Sequence, residues 1–120
     1  MILRQEDVPQ YVIDEMPEID YVGKEELKRS SVYQIMHQLV DHTNKLIQES
    51  NLSAARKCFN IVNQLYTRGN ARVKCAIENV YVYALDRMFL SCKCDKNEIL
   101  QLVPQRLYSI YINQIVSSNI

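Results

Sequence analysis

From Val73 to Leu90 the chain offers apolar residues to almost every side of a helix. At about 100° per residue, Val73, Ala76, Ile77, Val80, Ala84 and Met88 share one face. Cys75, Val82 and Phe89 point roughly the other way, and Tyr81, Tyr83 and Leu85 fill the flanks. Only Lys74, Glu78, Asn79, Asp86 and Arg87 interrupt the pattern. A helix apolar nearly all round is packed on several sides. This one is expected to be the central helix of a bundle, or to give part of its surface to a partner.

The rest of the chain reads as helix too. Two glycines and three prolines in 120 residues are too few for the many turns of a β protein. Asp7 as cap, Pro9 near the first turn and Pro17 as a stop frame a short helix over residues 8–15. A long second helix, starting near Lys24 or Ser30 and ending at Ser50, carries Val32, Ile35, Met36, Leu39, Val40, Thr43, Leu46 and Ile47 at helical spacing. Ser53 is the expected N-cap of a third helix with the stripe Ala55, Cys58, Phe59, Val62, Leu65 and Tyr66. Gly69 suits a left-handed residue past that helix end, and Asn70 suits the next N-cap, so the third and fourth helices form an antiparallel hairpin. Asp95, with Glu98 three residues on, opens a further helix, and Pro104 starts a last one with Leu107, Tyr108, Ile110, Tyr111, Ile115 and Val116 on its apolar face. The expected fold is all-α: a compact bundle of about four to five helices, hinged on the turn at Gly69-Asn70.

Charge divides the chain. Residues 1–20 hold six acids (Glu6, Asp7, Asp14, Glu15, Glu18, Asp20) and one base, Arg4, which leaves 8 acids and 13 bases from totals of 14 and 14. We therefore expect an acidic N-terminal segment, residues 1–23, with a short helix, and a bundle domain over residues 24–120. The segment either lies on the basic body or each part meets its own partner. No apolar run reaches the roughly 18 residues a membrane span needs, and Met1–Asp7 lacks the basic and apolar regions of a secretory signal. With Cys58, Cys75, Cys92 and Cys94 read as reduced thiols, the expected location is the cytoplasm.

Motifs that carry chemistry are sparse. Cys92-x-Cys94 has a one-residue spacing and no second chelating pair, so no metal is expected. His37 and His42 lie about 140° apart around a helix and cannot chelate together. His37 with Asp41, and Glu78 on the most apolar helix, are the two places where acid–base chemistry could be sought; both are more readily explained as a solvated pair and a structural carboxylate. No phosphate-cradling loop, nucleophile elbow or cofactor motif is present, and neither enzyme activity nor a cofactor is expected. Arg56, Lys57, Arg68, Arg72 and Lys74 form a candidate basic patch, because no acid lies between Ser50 and Ile77. Eight tyrosines against two phenylalanines and no tryptophan suit half-buried positions and interfaces.

The stretch Phe59…Leu65-Tyr66…Gly69-Asn70…Val73-Lys74…Ala76-Ile77-Glu78-Asn79-Val80 resembles the middle of a family of small, uncharacterised, all-helical bacterial proteins. It is similar also to HEAT-like helix pairs and to helical immunity proteins of toxin systems. The resemblance covers a hairpin signature and implies a helical bundle with a protein-binding role. It brings no catalytic residue with it. The leading expectation is a non-enzymatic protein-interaction domain, homodimeric or an immunity-like binder, using Tyr81, Val82, Tyr83 and Phe89. The alternatives are a nucleic-acid-associated domain using the Arg56–Lys74 cluster and a small enzyme around Glu78 or His37.

Overall fold

The computed structural model describes residues 2–17, 29–91 and 95–118. Among them every regular element is helical. A 3-10 turn (Gln5–Asp7) leads into α1 (Val8–Glu15), followed by α2 (Val32–Gln48) and α3 (Leu52–Arg68). A central rod comprises α4 (Ala71–Ala76), a π-helical segment (Ile77–Val82) and α5 (Leu85–Ser91). Two helices close the chain, α6 (Lys96–Leu102) and α7 (Gln105–Ser118). The Cα radius of gyration is 13.8 Å, close to the roughly 13.6 Å of a compact chain of this length.

The apolar stripe of α2 predicts its packing residue for residue. Val32, Ile35, Met36, Leu39, Val40, Thr43, Leu46 and Ile47 are its buried positions. Its start is fixed by Ser31, whose hydroxyl accepts from the Gln34 amide while the Gln34 side chain accepts from the Ser31 amide. Ser50, just past its end, takes the left-handed conformation with φ 58°. Asn51, not Ser53, caps α3, its side chain accepting from the Ala54 amide at 3.4 Å. Asn is as good a cap as Ser, and the one nearer the left-handed turn meets the free amides first.

The turn at Gly69-Asn70 is present, with a different reason for its glycine. Gly69 has φ −75° and ψ 152°, an extended conformation open to any residue. The constraint is steric: a Cβ there would lie 2.5 Å from the Leu65 carbonyl oxygen and 2.6 Å from Val73 Cγ1. The extended backbone serves to pair with Leu3. The Leu3 amide donates to the Arg68 carbonyl at 2.6 Å, and the Asn70 amide donates to the Leu3 carbonyl at 2.8 Å. Leu3 is thereby buried, and Val8, Val12, Ile13 and Met16 join the same core as α2, α3 and the rod. Glu18 and Asp20 lie outside the described residues.

The rod is not a uniform α-helix, as its sequence first suggests. Its buried residues include two series spaced by four, Val73, Ile77, Tyr81, Leu85 and Phe89, and Ala76, Val80, Ala84 and Met88. In an α-helix a step of four overshoots one turn by about 40°. The wider π turn absorbs part of that drift and keeps both series facing the core. Cys75 is exposed, whereas Val82 and Phe89, expected on the far side, are buried.

Candidate functional site

Of the four residues expected to form a partner surface, three are interior. Tyr81 is fully buried, its ring edge-on to Phe59 of α3 at 6.2 Å, and its hydroxyl lies 2.9 Å from that of Thr43 on α2. Burial pushes the Tyr81 hydroxyl pKa far above its ordinary value of 10.0. Val82 is fully buried, and Phe89 packs edge-on against Tyr111 of α7 at 5.4 Å. The surplus apolar surface of the rod is thus largely covered by the chain itself. Tyr83 is different: it is 76 % exposed.

Tyr83 and Leu90, the latter 85 % exposed, lie seven residues apart, about two helical turns, on the same side of the rod. Asp86 and Arg87, both exposed, fall between them at helical spacing. Beside this ridge runs a groove of about 680 Å3. Val80 and Ala84 line it from the rod, His37 and Val40 from α2, and Tyr111, Gln114 and Ile115 from α7. On the other side of Tyr83, a more polar hollow of about 600 Å3 is lined by Tyr66, Glu78, Asn79, Ile110, Asn113, Gln114 and Ser117. The His37 imidazole shares its groove with Asp86 and Arg87; Asp41 does not line it.

Hydrogen bonds tie these walls together. The Tyr66 hydroxyl donates to the Glu78 carboxylate at 2.7 Å, which joins α3 to the π segment. Gln114 Nε2 donates to the Glu78 carbonyl at 2.8 Å, joining α7 to the same turn. The Tyr111 hydroxyl donates to Asp86. Burial first, and then the bonded carboxylate with its negative charge, push the Tyr66 hydroxyl up to about 12 and the Tyr111 hydroxyl likewise up to about 12. Glu78 therefore serves as an anchor for two neighbouring helices.

The basic residues are spread along α3 and across the turn that follows it into α4. Arg68 lies over the Tyr11 ring at 5.6 Å, and Lys74 over the Tyr66 ring at 5.6 Å. Arg72 is exposed beside that end of the hairpin. Arg56 and Lys57 line a hollow of about 360 Å3 with Glu15 and with Tyr11, the ring that Arg68 covers. Twelve residues of α3 separate Arg56 from Arg68, about 18 Å along the axis. Among the described residues no group of three or more His, Cys, Asp or Glu side chains could hold a metal, and no helix is long and apolar enough to cross a membrane. Cys92 and Cys94 lie outside the described residues.

A family model described as a domain of unknown function, DUF7674, matches residues 9–117. The chain belongs to the DUF7674 family. No curated protein and no solved structure matches it. The DUF7674 match takes in the whole ridge, the groove and the polar hollow, while Leu3, which pairs with Gly69, falls outside it.

Leu90, Asp86, Arg87 and Gln114 gain their place only from the fold. In the sequence Leu90 merely ends an apolar run, and Gln114 is one amide among several. The one available signal was the i, i+3, i+4, i+7 stripe Tyr83-Asp86-Arg87-Leu90, which is visible once the core face is known.

Proposed function

We propose that this DUF7674 domain is a non-enzymatic protein-interaction domain whose partner surface is the Tyr83–Leu90 ridge and the groove beside it. The carrying observation is the exposure of a tyrosine and a leucine about two turns apart, beside a groove lined by both apolar and polar side chains. Tyrosine and leucine standing clear of the surface lose water on docking, and a concave neighbour gives a partner's side chains somewhere to go. The likeness of the 59–80 stretch to HEAT-like pairs and bacterial immunity proteins points the same way. Cys58, buried, and Cys75, exposed, read as reduced thiols, suit a cytoplasmic setting. A nucleic-acid role draws less support, because two of the bases cover tyrosine rings and the acid Glu15 lines the hollow of Arg56 and Lys57.

The test compares the wild-type chain with a Tyr83→Ala, Leu90→Ser variant as bait, each with untagged copies of the chain added, and quantifies co-purifying proteins by mass spectrometry. The expected result is at least one protein, or the untagged chain itself, held by the wild type and lost by a variant with an unchanged circular-dichroism spectrum. Identical recovery by both baits would overturn the proposal.

A further inference from the structure

Resting on that reading, we infer that the partner seated on the ridge is a second copy of this chain, docked antiparallel about a two-fold axis between Asp86 and Arg87. The stripe Tyr83-Asp86-Arg87-Leu90 reads apolar, acidic, basic, apolar. An axis at its centre sets Tyr83 against the partner's Leu90 and Asp86 against the partner's Arg87, and both contacts then occur twice. A two-fold interface requires such a patch, one whose features match themselves after reversal. All four residues are exposed. Tyr83 and Leu90, at 76 % and 85 % exposure, stand out far enough for two ridges to meet.

Two further features fit this occupant. The Tyr111 hydroxyl holds the Asp86 carboxylate through Oδ1, which orients Oδ2 without covering the residue. The groove lies directly beside the ridge, so where the two ridges meet at the roughly 8–10 Å spacing of packed helices it gives the facing Tyr83 and Leu90 side chains room to turn aside. A one-sign patch would select an oppositely charged partner; a patch that carries both signs at adjacent positions selects its own reversed image.

Sedimentation equilibrium of the purified chain tests this. The wild type is expected to show a monomer–dimer equilibrium that Leu90→Glu abolishes with the circular-dichroism spectrum unchanged. Arg87→Asp and Asp86→Arg each place like charges opposite one another twice, and each is expected to weaken the dimer by roughly tenfold or more. Mixed together, the two variants place opposite charges at both contacts, and a heterodimer of near wild-type strength is expected. Should Asp86→Arg unfold through loss of the Tyr111 bond, Leu90→Glu and Arg87→Asp carry the test. A wild type that stays monomeric to its solubility limit overturns the inference, as does a dimer indifferent to Leu90→Glu and Arg87→Asp. In either case the interaction-domain reading survives if a different protein is captured through Tyr83 and Leu90, so the two failures are distinct.

Discussion

The hydroxyls of Thr43 and Tyr81 meet at 2.9 Å in the centre of the bundle, and the Thr43 hydroxyl lies 2.7 Å from the Leu39 carbonyl. The Thr43 proton goes to Leu39, so the Tyr81 hydroxyl donates to Thr43. This small polar chain lies at the contact between α2 and the π segment. A phenol in a core is tolerated only when its proton has an acceptor.

The two partners are therefore unequal. Tyr81→Phe removes a donor and leaves Thr43 bonded to Leu39, a loss of about 0.5–1.5 kcal/mol. Thr43→Val strands the buried Tyr81 hydroxyl, at a cost of about 1–3 kcal/mol. The double variant is expected to be more stable than Thr43→Val alone, because nothing is then left unpaired. Urea unfolding of the four chains measures the coupling; strictly additive effects would show that the hydroxyls act independently.

Alkaline pH reports on the walls of the site. Tyr66 and Tyr111 are raised from 10.0 to about 12 in the folded chain. Between those values the unfolded chain gives up these protons while the folded chain keeps them. Stability is fully present below pH 10 and falls as pH rises towards 12. Thermal melts across this range should show the decline, and Tyr66→Phe or Tyr111→Phe should each make it shallower. A slope unchanged from the wild type in both variants would mean that other groups dominate.

Gly69→Ala separates conformation from space. With φ at −75° an alanine meets no backbone penalty. Its methyl nevertheless collides with the Leu65 carbonyl and with Val73, and an overpacked site costs about 1–3 kcal/mol. Val73→Ala in the same chain opens part of that space. The double variant should therefore lose less than the sum of the single losses, read by denaturant midpoints. A full sum would place the strain on the Leu65 carbonyl alone.

The sequence is legible where one face of a helix decides its fate. In α2 the apolar and polar positions segregate cleanly, and the burial follows them from Val32 to Ile47. The rod defeats the same logic, because an apolar residue on every side says nothing about which side a neighbour will take. Phe89 is claimed by Tyr111 and Tyr81 by Phe59 and Thr43, all distant in the chain, while Tyr83 is left outside. Leu3 pairing with Gly69 is likewise a long-range contact with no local signature. The basic cluster is contiguous in sequence, yet the length of α3 carries its members apart.

Ser50 is the one described non-glycine residue with a positive φ, 58°, and it is exposed. A Cβ in the left-handed region costs roughly 1–2 kcal/mol. Glycine escapes that strain and gives back part of the gain through its greater freedom in the unfolded chain. Ser50→Gly is expected to stabilise by up to about 1 kcal/mol, and Ser50→Val to destabilise by at least as much. Opposite shifts in melting temperature would confirm that the α2–α3 turn is strained, and equal shifts would remove the idea.

The brace on the π segment gives the last prediction. Gln114 Nε2 donates to the Glu78 carbonyl at 2.8 Å, within the wide turn that keeps residues 77, 81 and 85 on the core side. Gln114→Leu keeps the side-chain bulk and removes the donor. Overall stability should fall by about 0.5–1.5 kcal/mol. The local effect should be larger, because the amides from Glu78 to Tyr83 lose their tie to α7 and exchange with solvent faster than those of α2. Hydrogen-exchange mass spectrometry resolves the two regions. Acceleration confined to the rod would tie the presentation of Tyr83 to this bond, whereas uniform acceleration would mean that Gln114 supports the bundle as a whole.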